Sequence, residues 1–256
     1  MKPILIIKAG TTFPETALHY EDFESWTMRG MDLMGQDVQL AAIYHGDPLP
    51  EENCVSGVVI TGSHSMVTDA EPWCEKLTGW IPEIVKERIP LLGLCFGHQL
   101  LAQAMGGTVG NHPLGKEIGT VSIKRNEVGA KDSLLRALPD EFFAHVTHSQ
   151  TVLRLPKNAV LLAGNAFEPH HAFRIGDCAW GVQFHPEFDT DIMRSYVTVQ
   201  KEELEKAGLD VPAIFAGIHE TPEANSIMRR FREIVRNHSE EEGSPHDLPE
   251  TRISRC

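Results

Sequence analysis

The chain has 256 residues, 41% of them hydrophobic, and a formal net charge of −13. That length suits one domain with appendages, and that apolar share can build a substantial core. The acidic balance excludes a chain built to grip nucleic acid or an anionic membrane, and no apolar run approaches the roughly 20 residues that span a bilayer.

Short, nearly continuous apolar runs predict strands over 4–8, 38–44, 57–61, 91–94, 120–124, 159–165, 171–175 and 180–185, as expected for strands covered on both faces. The opening Met1-Lys-Pro-Ile-Leu-Ile-Ile-Lys is too short, and too soon followed by polar residues, for a signal sequence, so it reads as the first strand. Helical patterns occupy 16–30, 71–87, 98–105 and 191–207. In the second of these, Trp73, Leu77, Trp80, Ile81, Ile84 and Val85 mark one apolar face. A late helix over 223–237 turns Ile227, Phe231, Ile234 and Val235 to the core, with Arg229, Arg230, Arg232 and Arg236 left for solvent or a partner protein. After His238 the chain turns polar, with glutamates at 240 to 242 and prolines at 245 and 249. The domain is therefore placed at 1–238 and a mobile tail at 239–256.

Strands alternating with helices predict an α/β fold, an open and mostly parallel sheet flanked by helices. Such sheets bind ligands at the carboxyl ends of their strands. Gly10, Gly62, Cys95 and His185 all fall at predicted strand ends. The five cysteines (Cys54, Cys74, Cys95, Cys178 and Cys256) are scattered without metal-type pair spacing, which suits a reducing, cytoplasmic compartment.

The most informative segment is Pro90-Leu-Leu-Gly-Leu-Cys95-Phe-Gly-His-Gln-Leu-Leu-Ala. An apolar strand runs into a helical pattern with a cysteine at the junction, on a sharp turn that exposes its sulfur. Gly93 and Gly97 leave room for a strained backbone and close neighbours. The start of a helix beside the sulfur favours thiolate over thiol. Taken alone, such a cysteine is as readily a small buried hydrophobe.

A second segment, Trp180-Gly-Val-Gln-Phe-His185-Pro-Glu187-Phe, ends another apolar strand. In extended chain His185 and Glu187 point the same way, and Pro186 stiffens the link. A carboxylate beside an imidazole fixes its tautomer and raises the basicity of its other nitrogen. Cys95, His185 and Glu187 thus supply a nucleophile, a base and an orienting acid.

Together, Gly93-Leu-Cys95-Phe-Gly97-His-Gln99 and Gln183-Phe-His185-Pro-Glu187 resemble the class I (triad) glutamine amidotransferase family, over most of the chain up to about Glu187. The resemblance implies a flavodoxin-like amidotransferase fold. It implies Cys95 as nucleophile, His185 as base and acid, Glu187 as its partner, and Gln99 at a position that contacts bound glutamine. It implies that the loop after the third strand, Thr61-Gly62-Ser63, gives a backbone N–H to the oxyanion hole together with Phe96. That loop departs from the family's Gly-Gly-Pro and resembles the Ser-Gly-Ser style of plant γ-glutamyl peptidases. It implies a short loop at His145-Val-Thr-His148-Ser149-Gln150 that grips the amino-acid end of glutamine, with Gln150 where GMP synthases carry aspartate. No metal and no organic cofactor is called for. The expected substrates are glutamine or a γ-glutamyl small molecule.

Three functions follow from the resemblance. One is a glutaminase releasing ammonia to a separate synthetase partner, no synthetase domain being read in these residues. The second is a γ-glutamyl peptidase acting alone. The third is a non-catalytic module of the same fold, disfavoured by the full set of Cys95, His185 and Glu187. The remaining polar motifs read as structural. Lys8-Ala-Gly10-Thr-Thr lacks phosphate-loop spacing and reads as a strand-end turn. His98 reads as a packed helix residue, and His170-His171 as the start of a strand.

Overall fold

The structure, a computed structural model, describes residues 2–242. Five strands pair in parallel in the order β2 (Val38–Ala42), β1 (Ile4–Lys8), β3 (Gly57–Ile60), β4 (Leu91–Leu94) and β11 (Ala179–Val182). The same sheet continues antiparallel through β10 (Ala172–Ile175), β9 (Ala159–Gly164), β6 (Glu117–Arg125) and β7 (Glu141–His148), giving nine strands. A separate two-stranded sheet joins β5 (Thr108–Asn111) to β8 (Gln150–Arg154). The expected open α/β sheet with a parallel centre is thus present.

Side chains alternate across β4 and sort the two faces. Leu91 packs with Ile81 and Ile84 of α3 (Pro72–Lys86) and with Leu101 of α4 (Phe96–Ala104). Leu92 and Leu94 pack on the other side with Ile227, Met228 and Phe231 of α8 (Pro222–Glu242). Each of these apolar side chains stabilises the fold by roughly 1.5–3 kcal/mol when removed from water. A third apolar cluster joins Phe23 and Trp26 of α2 (Phe23–Gly30) to Tyr196 of α5 (Thr190–Val199).

Several expected elements differ in extent. The helix expected over 16–30 is two, α1 (Pro14–Tyr20) and α2, because Glu21 takes φ +69° and Asp22 caps α2 by accepting from the Phe23 N–H. The helix expected over 191–207 breaks at Gln200 into α5 and α6 (Lys201–Lys206). The strand expected to reach Tyr44 stops at Ala42, where a 3₁₀ turn begins. Strands β5, β7 and β8 and the helix α7 (Val211–Gly217) are additional to the expected set. Helix α8 extends through Glu242, past the expected start of the tail at 239, and residues 243–256 of that tail lie outside the described residues.

The contact between β4 and α4 is made backbone to backbone. A Cβ on Gly93 would lie 2.4 Å from the Gly97 carbonyl oxygen, and one on Gly97 would lie 2.5 Å from the Ile60 carbonyl oxygen. Neither neighbour is a side chain that can swing aside. Gly97→Ala is therefore expected to cost roughly 1–3 kcal/mol as overpacking. Chemical denaturation of the variant checks this, and an unchanged midpoint would contradict the contact.

Candidate active site

Cys95 is the single residue between the end of β4 and the start of α4. Its backbone is left-handed, φ +48° and ψ −95°, a conformation that costs a non-glycine residue on the order of 1–3 kcal/mol. Its N–H donates to the Val182 carbonyl at 2.9 Å, and its own carbonyl accepts from the Gln99 N–H at 3.1 Å. The sulfur lies 3.8 Å from the Thr147 carbonyl and accepts from Gln183 Nε2 at 3.4 Å. It is 7% exposed and opens on a cavity of about 240 Å³ shared with Ser63, Phe96, Gln99 and His185. That volume lies below the roughly 300–1,000 Å³ of drug-sized pockets and suits a small metabolite.

His185 reaches the same cavity from just beyond β11, the strand that pairs with β4 in parallel. Its backbone N–H donates to the His145 carbonyl at 2.8 Å, and its ring stacks on Phe188 with centroids 4.1 Å apart. Nδ1 sits 2.8 Å from Glu187 Oε1, the pairing expected of these two residues, made here across a turn at Pro186-Glu187 rather than along extended chain. Nε2 is buried and makes no hydrogen bond of ordinary geometry, within electrostatic reach of the Cys95 sulfur. Burial alone would lower the imidazole pKa. The Glu187 carboxylate, and after it the Cys95 sulfur, outweigh that and push it up to about 10. His185 is thus an imidazolium at neutral pH, with a carboxylate on one side and a sulfur on the other.

The histidines His64, His98, His145 and His171 are held below the ordinary imidazole range. His64 is lowered to about 4 by burial, then by Lys116 and His185. His145 is lowered to about 4 by burial and by His185, and His98 to about 3 by burial. Burial also carries His171 well below the usual range. His98 is packed against Phe173, and His171 immediately precedes β10, as the sequence suggests for both.

The substrate-end residues are not arranged as a loop. Positions 145–150, expected as a short loop, are the end of β7 and the start of β8 with only Ser149 between them. His148 lines the cavity, yet both its ring nitrogens are engaged elsewhere: Nδ1 with the Gln150 carbonyl and Nε2 with Glu117 Oε2, each at 3.0 Å. Two acceptors on one imidazole require a proton on both nitrogens or one on the carboxylate. Ser149 lines the cavity. Gln150 donates through Nε2 to Thr68 at 2.7 Å and Asn111 at 3.2 Å, which leaves Oε1 buried without a partner. Gln99 donates through Nε2 to the Gln150 carbonyl and to Gln183 Oε1, both at 2.9 Å. Both its amide hydrogens are spent, so toward the cavity it offers an acceptor, Oε1.

Phe96 and Ser63 line the cavity, and neither backbone N–H finds a hydrogen-bond acceptor among the described residues. Gly62 lies behind them, where a Cβ would meet His185 Cε1 and Phe23 Cε1 at 3.1 Å, so it packs against the imidazole rather than lining the space. Gly10 supports the same loop: its Cβ would fall 2.5 Å from Ser63 Oγ.

Sequence reasoning missed four contributors. Gln183 touches the sulfur. Glu117 anchors His148. Asn225 of α8 spends its side-chain N–H groups on the Pro186 carbonyl at 2.7 Å and the Phe188 carbonyl at 2.8 Å, bracketing Glu187. Lys116 stands at the cavity mouth with Gln200 and with Glu203 at 3.6 Å. Gln183 alone had a usable signal, since it lies two residues before His185 on the same extended run.

An elbow cysteine and a carboxylate-supported imidazole thus share one cavity at the strand ends of an α/β sheet. The chain belongs to the family described as "Glutamine amidotransferase class-I", whose model matches residues 20–201. It is 34% identical to a GMP synthase [glutamine-hydrolyzing] of Aeropyrum pernix over 142 residues, 56% of this chain and 25% of that one. It is also 34% identical to Gamma-glutamyl peptidase 4 of Arabidopsis thaliana over 150 residues, 56% of this chain and 59% of that one. The matched part thus spans about a quarter of the first relative and under two thirds of the second. The structure of a glutamine amidotransferase from Methylobacillus flagellatus superimposes with a TM-score of 0.74 at 26% identity, covering 97% of this chain and 100% of that one. Among the described residues no helix is long and apolar enough to cross a membrane.

The raised pKa of His185 carries a signed consequence. A group whose folded pKa exceeds its ordinary value of 6.5 contributes stability that is complete below 6.5 and is lost as pH climbs through about 10. The stability gap between the native chain and His185→Gln is expected to be widest on the acid side of neutrality and to close toward pH 10. Denaturation titrations across that range measure it, and a gap that widens with pH would contradict the assignment.

Proposed function

We propose that the protein hydrolyses the side-chain amide of glutamine through a γ-glutamyl thioester on Cys95 and releases ammonia for a separate acceptor enzyme. The observation that carries this reading is the His185 ring, held by Glu187 at 2.8 Å in the cavity it shares with the Cys95 sulfur. The thiolate attacks the γ-carbonyl carbon and forms the carbon–sulfur bond. The oxyanion is met by the N–H groups of Phe96 and of the Gly62-Ser63 turn, and losing one such donor typically costs about 100- to 1,000-fold. As the carbon–nitrogen bond breaks, His185 gives its proton to the leaving nitrogen and ammonia departs. Neutral His185 then takes a proton from water, the hydroxide adds to the thioester, and the carbon–sulfur bond breaks to give glutamate. Residues of this chain supply every group in that sequence.

Substrate selection is assigned to Gln99, His148, Ser149 and Gln150. The unpartnered Gln150 Oε1 accepts from the substrate ammonium where a carboxylate would otherwise stand. Gln99 Oε1 accepts from an amide N–H. His148 acts from beneath, holding the Gln150 carbonyl in place rather than touching substrate. The likeness to GMP synthases supports an ammonia acceptor on a separate synthetase.

Purified chain given glutamine is expected to release glutamate, and acid quenching is expected to trap a γ-glutamyl adduct on Cys95 by mass spectrometry. Cys95→Ala should abolish both. Turnover that survives Cys95→Ala would overturn the mechanism.

A second reading, a γ-glutamyl peptidase acting alone, is favoured by the shape beyond the sulfur. The cavity leads past Phe13, Gln200 and Glu203 into a wider groove of about 580 Å³. Lys116 stands at that passage, where an amine leaving group bearing a carboxylate would meet its ammonium. If this reading holds, Lys116→Met raises KM for γ-glutamyl dipeptides by about two- to fivefold, the worth of one modest charge pair, and leaves KM for glutamine unchanged. Equal effects on both substrates would remove the support for it.

A further inference from the structure

We propose that Gln183 is a second catalytic donor to the Cys95 sulfur and that Gln99 locks its amide in the donating orientation. The inference rests on the reading of Cys95 as the nucleophile. Gln183 is wholly buried, and its backbone N–H donates to the His171 carbonyl at 2.8 Å. Its side chain bridges two atoms: Oε1 accepts from Gln99 Nε2 at 2.9 Å, and Nε2 donates to Cys95 Sγ at 3.4 Å.

An amide could face the sulfur with either end, so the direction needs its own argument. The Gln150 carbonyl can only accept. Gln99 lies 2.9 Å from it and must present its NH2 there. The second hydrogen of that NH2 points at Gln183, which must therefore answer with its oxygen. The NH2 of Gln183 is left for the sulfur. The Gln150 carbonyl is itself fixed by His148 Nδ1, and His148 by Glu117. Donor and acceptor roles are thus determined link by link from the Gln150 carbonyl to Cys95, through groups that are all buried.

A donor aimed at sulfur stabilises thiolate more than thiol, because a charged acceptor makes the stronger hydrogen bond. It also holds the sulfur in direction, which the strained elbow alone does not. His185 and Gln183 then grip the sulfur together, one by charge and one by a neutral N–H that no proton transfer switches off. The titratable groups around the sulfur are His185 with Glu187, Tyr196, His64, His148 with Glu117, and Lys116 with Glu203 at the mouth. The Gln183 amide bonds to Gln99 and to the sulfur, so it reaches the sulfur as a neutral partner distinct from these groups.

The test is alkylation of the full chain by iodoacetamide from pH 6 upward, with each cysteine followed by peptide mass spectrometry. Gln183→Met is expected to slow Cys95 alkylation roughly 10- to 100-fold at neutral pH, the range for loss of a hydrogen bond to a charged group. Gln99→Met, which frees Gln183 to reverse, is expected to slow it by a smaller factor. Both rates should approach that of the native chain at the alkaline end, where every thiol is ionised. Buried Cys74 and Cys178 serve as internal references. A native Cys95 that reacts no faster than these two overturns the nucleophile reading itself. A fast native Cys95 with Gln183→Met unchanged, or slowed equally at every pH, overturns the donor role alone. Circular dichroism checks the fold, and if Gln183→Met does not fold, Gln99→Met decides by the same criteria.

Discussion

The sulfur of Cys95 points into the cavity only because its backbone turns left-handed at the end of β4. That turn is unfavourable by itself, so the surroundings must impose it. They do so through the hydrogen bonds from Cys95 N–H to Val182 and from Gln99 N–H to Cys95, and through the bare backbone contact at Gly93 and Gly97. The Val182 carbonyl belongs to β11, which then delivers Gln183 and His185. One pair of neighbouring parallel strands, β4 and β11, therefore aims both halves of the site. Cys95 and Gln183 are 88 positions apart, and the chain between them includes the whole antiparallel wing, yet it bears on the sulfur chiefly through Thr147, His148 and Gln150.

The electrostatics follow from that placement. A buried cation is costly unless it is paired. His185 is paired twice, with Glu187 by direct contact and with Cys95 through space. The neighbouring imidazoles of His64 and His145 are driven neutral by burial and by the charge on His185 itself. Charge is thereby concentrated on His185, which shares the cavity with the Cys95 sulfur. The site also keeps polar atoms unsatisfied at a few chosen points: His185 Nε2, Gln150 Oε1 and the N–H groups of Phe96 and Ser63. Leaving such groups unmet costs the free protein stability, and a substrate that meets them recovers that cost.

Much of this was legible in the chain. Gly-Leu-Cys-Phe-Gly announced the elbow because only glycine permits backbone to approach backbone so closely. His-Pro-Glu announced the imidazole and its carboxylate, though the strand expected to reach His185 ends at Val182. The two meet across a turn at Pro186-Glu187, with the Phe188 N–H on the His185 carbonyl, rather than along extended chain. The parallel strands were visible as unbroken apolar runs. The antiparallel wing was harder. In β7 the apolar residues are interleaved with His145, Thr147 and His148, which resemble loop polarity until their hydrogen-bond partners in β6 and β8 are known. In β5 a glycine and an asparagine fill half of a four-residue strand. Glu117, Lys116 and Asn225 had no local signature at all, because each acts across a long sequence separation.

Asn225 shows why the family match, which ends at residue 201, does not bound the working site. Helix α8 lies beyond it and would pass as a C-terminal addition. Yet its apolar face, with Ile227, Met228 and Phe231, packs into the same core as Leu92, Leu94 and Trp180. That packing fixes the height of Asn225, whose two N–H groups then hold the carbonyls on either side of Glu187. Glu187 Oε2 makes no hydrogen bond of its own, so the carboxylate is aimed by its backbone rather than by a second side-chain partner. The aim of the carboxylate beside His185 thus depends on a helix beyond the matched segment, and α8 belongs to the apparatus that sets it.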